Sequence, residues 1–126
     1  MHGEILRHAG ADVEDVRKGQ TVFVSGAIGT HMYIVIEGQI EIRIGERVVD
    51  IVSPGGIFGE MALLDDRPRA ATAISLGNGK LLRMDEKQFL KLVRESPEFS
   101  LKVLRTVVER ERRADALGGI AVKKSA

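Results

Sequence analysis

One acid and one arginine, Glu60 and Arg69, stand in a stretch otherwise made of glycines, small residues and a short apolar turn. The stretch reads Gly55-Gly56-Ile57-Phe58-Gly59-Glu60-Met61-Ala62-Leu63-Leu64-Asp65-Asp66-Arg67-Pro68-Arg69-Ala70-Ala71-Thr72. Glycines at 55, 56 and 59 let backbone N–H groups approach an anion with no Cβ in the way. The turn that begins at Gly59 offers unpaired N–H donors at its start, where the helix dipole also favours negative charge. Arg69 adds a planar, two-pronged donor suited to phosphate oxygens. A carboxylate beside an anion site should be repelled, and Glu60 makes sense there if it accepts hydrogen bonds from a sugar hydroxyl. Taken singly, the glycines read as a loop, Glu60 as a solvated acid and Arg69 as a surface ion-pair partner. Taken together they read as a site for ribose plus phosphate.

Phe58-Gly59-Glu60-Met61-Ala62-Leu63, a turn, and then Pro68-Arg69-Ala70-Ala71-Thr72 resembles the phosphate-binding cassette of the cyclic nucleotide-binding domain family. That family includes regulatory subunits of cAMP-dependent kinase, catabolite-activator-type regulators and cyclic-nucleotide-gated channels. The resemblance runs over roughly residues 13 to 113 and implies cAMP as the ligand. By it, Phe58, Gly59, Glu60, Met61, Ala62, Arg69, Ala70 and Ala71 line the site. Glu60 binds the ribose 2′-hydroxyl, Arg69 binds the cyclic phosphate, and the amides of Ala62 and Ala70 complete the cradle. Family members often carry Ser or Thr after the cassette arginine, where its hydroxyl meets the guanine 2-amino group. Ala70 stands there in this chain, so cGMP is expected to bind more weakly than cAMP. The stretch from Ser96 to Arg110 is similar to the last helix of bacterial cyclic-nucleotide-gated potassium channels, which implies that Arg110 stacks on the purine and that this helix moves on binding.

Composition limits the alternatives. With 126 residues and 44% apolar content, the chain is expected to form one domain, residues 1–126, with its core at about 13–113 and a loose tail at about 118–126. Lys+Arg 19 against Asp+Glu 18 leaves a formal charge of +1, too little for a general field toward nucleic acid or membrane. The absence of Cys excludes disulfides, thiolate metal sites and a cysteine nucleophile. His2, His8 and His31 share no metal-ligand spacing, which weighs against a metal-dependent enzyme of the cupin kind, although a metal-free cupin-like binder stays open. No nucleophile–base pair is evident, so the ligand is expected to be bound and not cut. No apolar run approaches the length that spans a bilayer, and the protein is expected to be soluble and cytoplasmic. Few residues follow the last helix, which predicts no direct DNA binding and an effector protein that the sequence does not name. The alternative is a fragment of a larger channel, kinase or transcription regulator.

The elements that must position these residues follow from periodicity. Apolar positions at 5, 6, 9, 13 and 16 predict a short helix over 5–17. Gln20–Val24, Tyr33–Ile36, Gln39–Ile44 and Arg47–Val52 read as strands. Glu37-Gly38 is read as a hairpin turn whose sheet has one wet face, and Gly45-Glu46 as a second tight turn. Ala71–Leu76 and Lys80–Met84 are two more strands, joined by Gly77-Asn78-Gly79. Asp85 and Gln88 then form a capping box for a helix carrying Phe89, Leu90, Leu92 and Val93. Ser96-Pro97 starts the last helix, which places Phe99, Val103, Val107 and Arg110 on one face and is stopped at Gly118-Gly119. The Glu109–Arg113 run, Arg110 apart, is read as a solvated helical face laced with ion pairs. The expected fold is α+β: an antiparallel, jelly-roll-like β-roll of the double-stranded β-helix type, closed by C-terminal helices.

Overall fold

The run Met32-Tyr33-Ile34-Val35 is buried along its whole length, which requires apolar cover on both faces of one strand. The computed structural model, which describes residues 12–118, supplies that cover. Eight strands form two four-stranded antiparallel sheets. These are β1 Asp12–Val16, β2 Thr21–Phe23, β3 His31–Glu37, β4 Ile40–Ile44, β5 Arg47–Val52, β6 Ile57–Phe58, β7 Thr72–Ser75 and β8 Gly79–Asp85. One sheet has the order β1-β8-β3-β6, the other β2-β7-β4-β5. Among the described residues three helices accompany the sheets: α1 Met61–Leu64, α2 Glu86–Glu95 and α3 Pro97–Gly118. This is an antiparallel β-roll with C-terminal helices.

Strand β3 divides its side chains between two cores. Met32 and Ile34 pack with Ile57, Leu82, Met84, Leu92, Phe99 and Val103, which join the first sheet to α2 and α3. Tyr33 and Val35 pack with Val16, Ile40, Val52, Phe58, Ala73 and Leu81 in the core that joins the strands of both sheets. The predicted hairpin at Glu37-Gly38 is therefore wrong. Strand β3 pairs with β6 and β8, and β4 pairs with β5 and β7, so the turn carries the chain from one sheet to the other. The unbroken apolar run was the clue, since a hairpin with one wet face needs alternation in both strands. At Gly45-Glu46 the tight turn does form, with Ile44 opposite Arg47.

The predicted helix over 5–17 is also corrected where it can be seen, because Asp12–Val16 is strand β1; its earlier part lies outside the described residues. Acids on β1 face bases on β8. Asp15 is paired opposite Lys80, with 2.8 Å between Oδ1 and Nζ, and Glu14 lies 3.8 Å from Arg83. Cross-strand charge pairs of this kind support a strand that is short of apolar residues. The Asp85 capping box is present in both directions: its carboxylate accepts from the Gln88 amide and the Gln88 side chain accepts from the Asp85 amide. Phe99 and Val103 are buried as the helical pattern requires, whereas Leu101, Leu104 and Val108 are exposed. Gly118 is the last residue of α3, and the predicted tail beyond it lies outside the described residues, as do His2 and His8.

Candidate functional site

Between β6 and β7 the chain leaves the sheets, makes the single turn α1, and returns through Arg67, Pro68 and Arg69. Gly59 is what allows the departure. Its φ of 73° lies in the left-handed region, and a Cβ there would come within 2.9 Å of Arg69 Nη1 and 3.2 Å of the Phe23 ring, so only glycine fits. The segment encloses a cavity of about 290 Å³, close to the lower end of the size usual for small-molecule sites. Its wall includes all nine residues singled out from the sequence: Phe58, Gly59, Glu60, Met61, Ala62, Arg69, Ala70, Ala71 and Arg110.

The two charged groups differ in how they are held. Glu60 is buried, with 3% of its surface exposed, and its Oε1 accepts a hydrogen bond from Arg110 Nη1 at 2.6 Å. Arg69 forms no ion pair among the described residues. Its Nη1 donates to Gly59 O at 2.9 Å and its Nη2 to His31 O at 2.8 Å, and its Cζ lies 3.9 Å from the centre of the Phe23 ring. Burial pushes the Arg69 guanidinium below its ordinary pKa, partly offset by Tyr33 and Glu60. A desolvated cation without a carboxylate partner is an unmet demand for an anion. The amide of Ala62, expected at that anion, is engaged with Gly59 O in a hydrogen bond of 3.3 Å.

Arg110 reaches the cavity from α3, far away in sequence. Besides Glu60 it donates to Ile57 O at 2.6 Å and its Nε lies 3.6 Å from Asp50 Oδ2. Arg113 makes a second ion pair with Asp50 at 3.0 Å. An ion pair from Arg113 fits the reading of the Glu109–Arg113 run as a face laced with ion pairs. A register shift between Ile42 and Arg43 sets Asp50 opposite Ile42, itself on the cavity wall, and bulges of this kind re-aim side chains.

Several contributors escaped sequence reasoning. Phe23, Ile42, Asp65, Arg67 and Pro68 also line the cavity, and Gly29, His31 and Asp50 hold the charged groups. Asp65, Arg67 and Pro68 lie within the quoted motif and could have been taken with it. Phe23, Gly29 and His31 come from β2, β3 and the loop between them, and that loop is registered on Arg69 by backbone bonds, Gly26 N–H to Arg69 O at 2.8 Å and Arg69 N–H to Ala27 O at 2.7 Å. Such long-range pairing leaves no periodic trace.

Comparison with known proteins bears on the family and the fold. The model of the cyclic nucleotide-binding domain matches residues 13–96. Over 108 residues the chain is 32% identical to a CRP-like cAMP-activated global transcriptional regulator of Mycobacterium tuberculosis, covering 80% of this chain and 47% of that one. The catabolite activator protein of Thermus thermophilus superposes with a TM-score of 0.77 at 28% identity, covering 92% of this chain and 58% of that one. A solved structure from a cyclic-GMP-dependent signalling pathway that regulates bacterial phytopathogenesis has a TM-score of 0.73 at 31% identity, covering 87% of this chain and 93% of that one. The chain spans about half the length of the mycobacterial regulator, so the few residues after α3 carry no argument against contact with DNA. Among the described residues no helix is long and apolar enough to cross a membrane. The matched segment holds β1 through α2 and with them every cavity residue quoted above except Arg110, and the chain belongs to the cyclic nucleotide-binding domain family.

Proposed function

We propose that the chain is a cAMP-preferring sensor whose last helix reports whether the cavity is filled. The observation that carries this reading is the presence, in one cavity of about 290 Å³, of a buried carboxylate and a guanidinium that makes no ion pair among the described residues. Cyclic AMP supplies a ribose hydroxyl to donate to Glu60 and a phosphate anion for Arg69. Phe58, Gly59, Met61, Ala62, Ala70 and Ala71 form the close-fitting wall around the sugar-phosphate. Ala70 offers no hydroxyl to the guanine 2-amino group, which favours adenine. The ligand is bound and released unchanged.

The route to an output runs through Arg110. Its guanidinium is committed to Glu60, Ile57 O and the Asp50 carboxylate. A ribose that donates to Glu60 changes the terms of that commitment, and Arg110 turns to cover the purine face at little desolvation cost. Because Arg110 belongs to α3, the helix shifts with it. Titration calorimetry with cAMP, cGMP and AMP tests the reading. Binding in the order cAMP, then cGMP, with linear AMP weakest, is expected; equal binding of AMP and cAMP, or no binding of any, overturns it.

A second reading, that this domain is the nucleotide-sensing unit of a transcription regulator, is favoured by the 32% identity to the mycobacterial protein. Its test is whether the full protein shifts promoter DNA in a cAMP-dependent way.

A further inference from the structure

The Arg69 guanidinium is held by groups that lie far from it in sequence. The Phe23 ring lies under its Cζ at 3.9 Å. Gly29 lies so close that a Cβ built on it would fall 2.3 Å from Arg69 Nε and 2.4 Å from Cζ, and the three nearest atoms to that Cβ all belong to Arg69. Gly29 is not in the left-handed region, so its small size here serves the space taken by the arginine and not a strained backbone. The loop that carries it is tied to Arg69 at both backbone ends, and His31 O accepts from the guanidinium itself.

We propose that Phe23 and Gly29 are positioning residues for the anion site, and that the ring and the Cβ-free backbone fix the Arg69 guanidinium in the cavity before any ligand arrives. This assignment rests on the cyclic-nucleotide reading for its functional meaning and on the geometry alone for its structural part. An arginine free to rotate surrenders side-chain entropy when it meets a phosphate. One already flanked by a ring and a backbone meets it in a set orientation. A cation stacked on an aromatic face also keeps its charge without a carboxylate neighbour that would compete with the phosphate.

Four single variants of the full chain and one double variant test the proposal. Gly29→Ala drives Arg69 aside and is expected to weaken cAMP binding at least about tenfold, equivalent to about 1.4 kcal/mol. In an Arg69→Ala background the same Gly29→Ala change is expected to cost nothing further, since the side chain it would strike is gone. Additive losses, or Gly29→Ala binding cAMP like the unmodified chain, would overturn the proposal. Phe23→Leu is expected to weaken binding several-fold, with Phe23→Tyr restoring it; equal loss in both would also count against a ring-stacking role. A readout in the free protein separates this from the function itself. The Arg69 Nε–H proton near the Phe23 ring is expected to show a ring-current shift in the NMR spectrum that Gly29→Ala and Phe23→Leu remove. A chain that shows this pattern yet ignores cAMP retains the positioning role and refutes the sensor reading, whereas a shift that persists in both variants refutes the positioning role whatever the nucleotide does.

Discussion

In the proposed function Arg69 and Glu60 divide the ligand between them, and each part of that division can be removed singly. Arg69→Ala is expected to weaken cAMP binding by about tenfold or more, since a hydrogen bond to a charged group contributes roughly 1.5–3 kcal/mol; unchanged affinity in calorimetry would refute the cassette assignment. Glu60→Ala takes away the proposed ribose acceptor, but it also strips Arg110 of its 2.6 Å partner, so the loss in affinity for cAMP has to be compared with that for 2′-deoxy-cAMP in the same variant. A larger loss for cAMP is expected, and equal losses would show that Glu60 does not hold the hydroxyl. Ala70→Thr, which places a hydroxyl at an exposed position on the cavity wall, is expected to raise cGMP affinity by ~1–3 kcal/mol while sparing cAMP. A gain for neither nucleotide would remove Ala70 from the selectivity argument. At this scale the sequence was most legible. Glu60, Arg69 and the glycines are contiguous and carry their chemistry in their types. Phe23, Gly29 and Asp50 act on the same groups from elsewhere in the chain, and nothing in a phenylalanine on a short strand announces which cation it will meet.

Elements were read well where local signals are complete. The box at Asp85 and Gln88, the Gly45-Glu46 turn and the strand Arg47–Val52 all sit where the sequence puts them, because caps and two-residue turns are decided by neighbouring residues. Partnership between strands is decided by the whole sheet, so the crossing at Glu37-Gly38 and the strand Asp12–Val16 were misread. For α3 the sequence gives a face, Phe99, Val103, Val107 and Arg110, and the structure adds the anchors at its far end, Glu60 and Asp50. Arg110→Ala is expected to weaken cAMP binding without disturbing the fold, since Phe99 and Val103 keep the helix docked. Amide hydrogen exchange over residues 103–113 is expected to change on cAMP addition and to slow if Arg110 closes on the base. A helix whose exchange ignores the nucleotide, together with a silent Arg110→Ala, would leave the cassette as the whole site and the output element elsewhere.

For the molecule as a whole, its single tyrosine makes stability readable at high pH. Burial raises the Tyr33 phenol above its ordinary value, helped by Glu14 and opposed by Arg69 and Arg83. A pKa that is higher in the folded state means that the folded protein holds this proton more tightly. The resulting stability is complete below the unfolded value near 10, and it is lost as pH rises through the folded value. Tyrosinate absorbance is expected to appear at higher pH in the native protein than in urea, and Tyr33→Phe to flatten the alkaline fall in stability; coincident titrations would contradict the burial. Tyr33 also stacks on Phe58 with 5.0 Å between ring centres, and it sits on β3, which with β6 and β8 feeds both cores. A sheet joined to its helices through one core and to a second sheet through another could melt in two stages, each with its own temperature. Strand β3 forbids that separation, because losing either core strips half of its side chains of cover and frees the ladder that the other core depends on. Heat should therefore find a single transition, with equal calorimetric and van't Hoff enthalpies, and the last amides to exchange with solvent should be those of Met32 to Val35.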